Sequence, residues 1–308
     1  MRGRRVLVTG AAGFLGRHLC PQLRAAGAEV HAVSRQHRPG HTAADRWWTA
    51  EVADETAARE LVKSVKPDVA IHLAALTHAE PSLDLVLPTF RSALESTVNL
   101  LTALTYEGCQ RIVLTGSMEE PVGNGAVARP ASPYAAAKWA ASAYGRMFHA
   151  LYGTPVVIAR LTLTYGPGQA RRKVIPSTIL ALLRGEQPRV SRGTRAWDVL
   201  YVDDAIEALM SLALGRGPDG ATVDIGTGQL VTLRAVIERL VTMIAPSIGA
   251  AFGDVPERPL TESRAADAAA TAATLGWRAT TSLEAGLQRT VDWYRAHPHP
   301  ADHHGVVT

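Results

Sequence analysis

Two cysteines, Cys20 and Cys109, are all that 308 residues contain, too few for a disulfide scaffold or a thiolate metal centre. No apolar run approaches the roughly 18 residues that a membrane-spanning helix needs. The Met1-Arg2-Gly3-Arg4-Arg5 start leads into a strand pattern, without the apolar stretch and small-residue cleavage site of a signal peptide. Charge of one sign is scarce as well: 32 Lys and Arg stand against 28 Asp and Glu, a net +4. So mild an excess, spread over a long chain, is weak support for a nucleic-acid partner. Charged residues make up 19% and hydrophobic residues 47%, which excludes a disordered, collagen-like or coiled-coil chain. The sequence predicts a soluble cytoplasmic globular protein that binds neither membrane nor nucleic acid.

Strand and helix signals alternate through the first half. Short apolar runs at 5–10, 29–33, 67–75, 111–115 and 155–160 are separated by helical patterns at 15–23, 56–66, 89–106 and 133–152. Continuous β-branched runs between helices predict a parallel sheet covered on both faces, a doubly wound α/β fold. From about Lys173 the strands shorten and loops multiply, which reads as a smaller mixed α/β C-terminal lobe. Residues 222–226 look like one more strand returning to the sheet. The predicted division is 1–172, 173–296 and a mobile tail over 297–308. Four histidines in that tail have no ordered frame to make them metal ligands, so no metal site is predicted.

Thr9-Gly10-Ala11-Ala12-Gly13-Phe14-Leu15-Gly16 falls between the first strand and the first helix. Gly10 permits a tight turn, Gly13 lets the backbone approach a pyrophosphate, and Gly16 lets helix and strand pack closely. The helix start, at Phe14 and Leu15, then offers free N–H groups and a positive dipole end to phosphates. The second strand ends Val33-Ser34-Arg35-Gln36-His37-Arg38. An Asp or Glu there would accept hydrogen bonds from the adenosine ribose of NAD. Ser34 brings no carboxylate, and Arg35 and Arg38 can hold a 2′-phosphate, so NADP (NADPH) is favoured over NAD. Solvated loop arginines are the competing reading.

Tyr134 and Lys138 sit at i and i+4 on one helix face. A nearby ammonium, with the positive charge of an oxidised nicotinamide, would lower the phenol from its usual ~10 toward working pH. Ser117 follows the fourth strand and can orient a substrate oxygen toward the tyrosine.

In this combination the chain resembles the extended short-chain dehydrogenase/reductase family, in its nucleotide-sugar epimerase, dehydratase and reductase branch. The resemblance reaches about Tyr294 and is carried by 9–16, His72-Leu73-Ala74-Ala75, Ser132-Pro133-Tyr134 to Lys138, Tyr165-Gly166-Pro167-Gly168, Val174-Ile175-Pro176, Tyr201-Val202-Asp203-Asp204 and Leu275-Gly276-Trp277. It implies a Rossmann-type cofactor domain and a C-terminal substrate lobe. It also implies Ser117, Tyr134 and Lys138 as the catalytic set, with Lys138 and Tyr134 at the nicotinamide ribose and Ala74 and Ala75 lining the cofactor. Homodimers through a four-helix bundle, built from 89–106 and 133–152, are a further implication.

Departures from the resemblance narrow the activity. Relatives that remove water as 4,6-dehydratases have an Asp-Glu pair after the hydroxyl residue, whereas this chain has Met118-Glu119. Methionine cannot protonate a leaving hydroxyl. Glu119 stands as a substrate contact or base, or as a structural salt-bridge partner. Trp197-Asp198 replaces an Arg-Asp pair, and Leu163 and Ala93 stand where asparagines are usual. The remaining substrate candidates are Thr77, Lys173, Val174, Arg192, Arg195 and Arg258. Between Arg171 and Arg195 seven basic side chains face one acid, Glu186, a net +6 that suits a nucleotide diphosphate. A solvated helix and loop accounts for about half of them.

The expected activity is an NADPH-dependent ketoreductase of a nucleotide-diphosphate keto-sugar, such as a dTDP-4-keto-6-deoxyhexose. The rivals are an NAD-dependent nucleotide-sugar 4-epimerase and a non-catalytic dinucleotide-binding sensor.

Overall fold

The computed structural model describes residues 1–36, 43–121, 129–256 and 262–297. In chain order its strands are β1 (Arg5–Thr9), β2 (Glu29–Ser34), β3 (Arg46–Thr49), β4 (Val69–His72), β5 (Arg111–Ser117), β6 (Val156–Leu161), β7 (Leu163–Tyr165), β8 (Arg189–Val190), β9 (Ala196–Tyr201), β10 (Thr222–Ile225), β11 (Leu230–Thr232) and β12 (Ala251–Phe252). Seven of them form one sheet in the order β3-β2-β1-β4-β5-β6-β10, and every pairing in it is parallel. This is the Rossmann-type arrangement expected from the sequence.

Alternate residues of each strand serve opposite layers. Val6 and Val8 of β1 and Val113 of β5 belong to one apolar cluster, with α1 (Phe14–Ala25) and α7 (Val202–Ala213). Leu7, Ile112 and Leu114 belong to the other, with α2 (Glu55–Val65), α4 (Ser96–Tyr106) and α5 (Pro133–Tyr152). Burial on both faces explains why these strands read as continuous apolar runs. The strand order reverses between β1 and β4, and both strands end at that switch point, where ligands of open α/β sheets bind.

The first predicted bundle helix is more broken than its pattern suggested. A short α3 (Val86–Thr89) leads through a π-helical turn, Phe90–Glu95, into α4. Hydroxyls compete with the ladder there: Ser96 Oγ donates to Ser92 O at 2.7 Å and Thr97 Oγ1 to Ala93 O at 2.6 Å. In contrast, α5 begins and ends as predicted. Ser132 Oγ accepts the Ala135 N–H, Pro133 occupies the first turn, and Gly153 closes the helix with a φ of 65°.

A smaller mixed sheet, β11-β9-β7, lies beside the main one, and β8 pairs with β12. Around them pack α6 (Val174–Leu183), α8 (Leu233–Ile244), α9 (Ala268–Leu275) and α10 (Leu283–Ala296). These short strands, and edge strand β3, do not stand out in the sequence. Each is two to six residues long, too short for a periodicity to register. Among the described residues no helix is long and apolar enough to cross a membrane. Of the predicted tail, His297 stacks on Trp293 with ring centroids 4.4 Å apart; the remainder lies outside the described residues.

Candidate active site

Gly10 has a φ of +68°, and a methyl group on it would sit 2.7 Å from Ala74 N. A methyl on Gly16 would lie 2.5 Å from the Ala11 backbone. These two glycines therefore bring β1, the start of α1 and the segment after β4 into backbone contact, which side chains would prevent. Gly13 N–H donates to Gly10 O at 2.9 Å, and no side chain caps α1. The first N–H groups of α1, at Phe14 and Leu15, have no acceptor within the helix. A cradle closed to side chains and lined with donors fits a dinucleotide pyrophosphate.

At the end of β2, Ser34 Oγ donates to Gln36 O, and Arg35 is exposed. Residues 33–36 at this strand end include no Asp or Glu. Arg38 lies outside the described residues. Ala74 and Ala75 follow β4, and Ala74 N–H points at Thr9 Oγ1 over 3.4 Å. Beneath them His72 links the two central strands. Its Nδ1 lies 2.6 Å from Thr9 Oγ1 and its Nε2 3.4 Å from Ser96 Oγ. Burial first, and the Lys138 charge second, push the imidazole down to about 3, so it is neutral and works as a hydrogen-bond hub.

Ser117 ends β5, and Tyr134 and Lys138 lie in the first turns of α5. The Ser117 side chain acts on the Tyr134 phenol to lower its pKa. The net effect of the protein's own groups is nevertheless upward: burial dominates, and Glu119 and Glu120 add to it. The expected depression by Lys138 is therefore not found among them. Lys138 Nζ donates to Thr115 O at 2.7 Å and reaches Thr115 Oγ1 at 3.4 Å. Burial lowers it to about 8, against the opposing pull of Glu120, so it keeps its charge at neutral pH.

Glu120 escaped the sequence reading. It is buried, and its Oε1 accepts the Ser117 N–H at 2.7 Å and the Ser142 hydroxyl at 3.0 Å. Burial raises its pKa, partly offset by those hydrogen bonds. Only the Glu119-Glu120 doublet beside a strand-end serine hinted at it. Glu119 N–H donates to Ser117 Oγ at 3.1 Å, so both acids shape the serine turn.

Of the substrate candidates, Thr77, Lys173 and Val174 come together: Lys173 Nζ donates to Thr77 O at 2.6 Å, and Val174 opens α6. Arg192 is exposed and Arg195 half-buried on the segment between β8 and β9. Within the basic stretch Arg184 pairs with Glu186, and Arg189 with Asp254, which removes two charges from any anion site. Arg258 lies outside the described residues. Asp198 is structural: its carboxylate accepts N–H bonds from Thr227, Gly228 and Ala266.

Residues 6–226 match the family described as NAD dependent epimerase/dehydratase. A probable dTDP-glucose 4,6-dehydratase of Sinorhizobium fredii is 31% identical over 325 residues, covering 94% of this chain and 92% of that protein. Among solved structures, a UDP-glucose 4-epimerase from Thermotoga maritima, with UDP-glucose, superposes with a TM-score of 0.86 at 25% identity, covering 95% of this chain and 99% of that one. MoeE5, solved with UDP-glucose and NAD, gives 0.84 at 31% identity with the same coverage. The same protein was also solved with UDP-glucuronic acid and NAD. With the glycine cradle at the switch point and the Ser117, Tyr134 and Lys138 cluster beside it, this chain belongs to the NAD-dependent epimerase/dehydratase family of nucleotide-sugar enzymes.

Proposed function

We propose that this chain is an NADPH-dependent ketoreductase of a nucleotide-diphosphate keto-sugar. The observation that carries the reading is the Ser117–Tyr134–Lys138 cluster, with Met118 instead of an acid beside it. Ser117 polarises the sugar carbonyl, and Tyr134 donates the proton that converts its oxygen to a hydroxyl. Lys138, fixed to Thr115 O, would bind the nicotinamide ribose. The nicotinamide, when bound, supplies the hydride.

Gly10, Gly13, Phe14, Leu15 and Gly16 would hold its pyrophosphate, and Ala74, Ala75, Tyr134 and Lys138 the nicotinamide half. Ser34 and Arg35 favour a 2′-phosphorylated ribose, because an NAD site commonly presents a carboxylate there. Thr77, Lys173, Val174, Arg192 and Arg195 would receive the nucleotide diphosphate, from a substrate lobe over 173–296 set against a cofactor domain over 1–172. The dTDP-4-keto-6-deoxyhexose expected from sequence is one member of this substrate class. Cytoplasmic residence goes with this use of nicotinamide and activated sugar.

An NAD-dependent 4-epimerase is the second reading, favoured by the UDP-glucose 4-epimerase and the NAD-bound MoeE5 among the similar structures. Dissociation constants for NADPH and NADH, and reduced-nicotinamide absorbance with a panel of nucleotide-linked keto-sugars, separate the two. Stoichiometric NADPH loss supports the reductase. A preference for NADH, retained through purification and without net consumption, supports the epimerase.

A homodimer also belongs to this proposal. Leu83, Leu87 and Tyr106 are 89%, 65% and 87% exposed, and Leu151 and Tyr152 are exposed on the last turn of α5. Apolar side chains grouped on the helical segments 83–106 and 133–152 suit a shared bundle.

A further inference from the structure

Arg264 stands on a segment that is tied down on two sides. Ala266 N–H donates to Asp198 Oδ2 at 3.0 Å, and Asp267 N–H to Asp224 Oδ2 at 3.4 Å. From there the half-buried Arg264 side chain reaches the end of β5, where its Nη2 lies 3.4 Å from Met118 Sδ. A thioether is a weak acceptor. Arg264 Nε is sealed from solvent and has no hydrogen-bond partner among the described residues. Two of the three carboxylates that act on it, Glu120 and Asp224, already accept other hydrogen bonds, and Glu262 is the third. Glu120 Oε1 takes the Ser117 N–H and the Ser142 hydroxyl. Asp224 Oδ1 takes Arg160 Nε at 2.6 Å.

Burial and the adjacent Arg160 work against the Arg264 charge, and Asp224, Glu120 and Glu262 partly offset them; a guanidinium does not give up its proton in a protein. A half-buried guanidinium whose one described hydrogen bond goes to a sulfur atom has donors left for a further anion. Met118, which it touches, follows the catalytic candidate Ser117 directly in the chain. Lys173, the diphosphate candidate, is instead bonded to the loop at Thr77.

We propose that Arg264 is the receptor for a carboxylate on the sugar ring, so that the preferred substrate is a nucleotide-linked uronic acid or its ketone. The planar fork of arginine matches a carboxylate with two parallel hydrogen bonds, which a sugar hydroxyl or a methyl group cannot supply. The inference rests on the nucleotide-sugar reading above and narrows it: a 6-deoxy sugar, with a methyl group at the terminal carbon, would leave the guanidinium unanswered.

Calorimetric titration of the cofactor-loaded full chain with UDP, UDP-glucose and UDP-glucuronic acid tests it. The uronate is expected to bind roughly ten- to a hundredfold more tightly than UDP-glucose. Arg264→Met should abolish that preference while leaving UDP affinity unchanged, and Arg264→Lys should keep part of it. Equal weakening of all three ligands in Arg264→Met would place the guanidinium on the phosphates and overturn the proposal. So would a native chain that binds UDP but does not prefer the uronate, an outcome that needs no variant to fold. If neither UDP nor dTDP binds, the nucleotide-sugar reading fails and takes this inference with it.

Discussion

Ser117 and Glu120 are locked together across one tight turn, with the serine N–H donating to the buried Glu120 Oε1 at 2.7 Å. The hydroxyl that faces Tyr134 is thereby set by a carboxylate three residues on. Glu120→Ala would leave the Ser117 N–H and the Ser142 hydroxyl unpaired, at about 1–3 kcal/mol each. Glu120→Gln keeps an acceptor oxygen and should lose far less. The pKa of Glu120 is raised in the folded protein, so its native state favours the protonated form. Stability from this group is full below the ordinary glutamate pKa and is lost as pH rises through the raised one. Thermal melts across that window should therefore show Glu120→Gln gaining on the native chain as pH increases. A constant gap would contradict the assignment.

Gly10→Ala should damage folding and nicotinamide binding together. The left-handed φ alone costs about 1–2 kcal/mol in a residue with a side chain, and the added methyl would collide with Ala74 N. Urea unfolding and cofactor titration of the same preparation check this. Unchanged cofactor affinity would remove the cradle from the account.

Arg111 holds the far end of β5 to the turn after α7. It is 5% exposed, and its guanidinium donates to Leu212 O, Arg216 O and Gly217 O and pairs with Asp219. Arg111→Ala should cost about 3–5 kcal/mol, because it strands buried carbonyls. Asp219→Asn should cost much less, since Asp219 is 40% exposed. Denaturant midpoints of the two variants decide the ranking.

The exposed apolar helix surface predicts a concentration-dependent dimer. Sedimentation equilibrium should give twice the chain mass, and Leu87→Asp with Leu151→Asp should give a folded monomer. A native monomer at high concentration would end the bundle proposal.

Much of this arrangement is legible in the sequence because it depends on local signals. The Gly10, Gly13 and Gly16 spacing, and the Ser132-Pro133 start and Gly153 stop of α5, are readable residue by residue. Strand β3 is not: Arg46-Trp47-Trp48-Thr49 is a short edge segment whose side chains are partly exposed. Trp48 instead uses its indole N–H on His31 Nδ1 at 3.1 Å. Glu120 and Arg264 are hard to read from the sequence for a different reason. Each is defined by partners that only the fold supplies, Ser142 for one and Met118, 146 residues away, for the other. The pKa of Tyr134 likewise depends on burial and on two carboxylates, which a Tyr-x-x-x-Lys spacing does not encode.

The most direct test of the central claim is the turnover of Tyr134→Phe with NADPH and a nucleotide-linked keto-sugar that the native chain reduces. Removing the phenolic proton donor should lower kcat by about 10²–10⁴-fold while the dissociation constant for NADPH stays within a few fold of native. A Tyr134→Phe enzyme that reduces the sugar at the native rate would contradict the account.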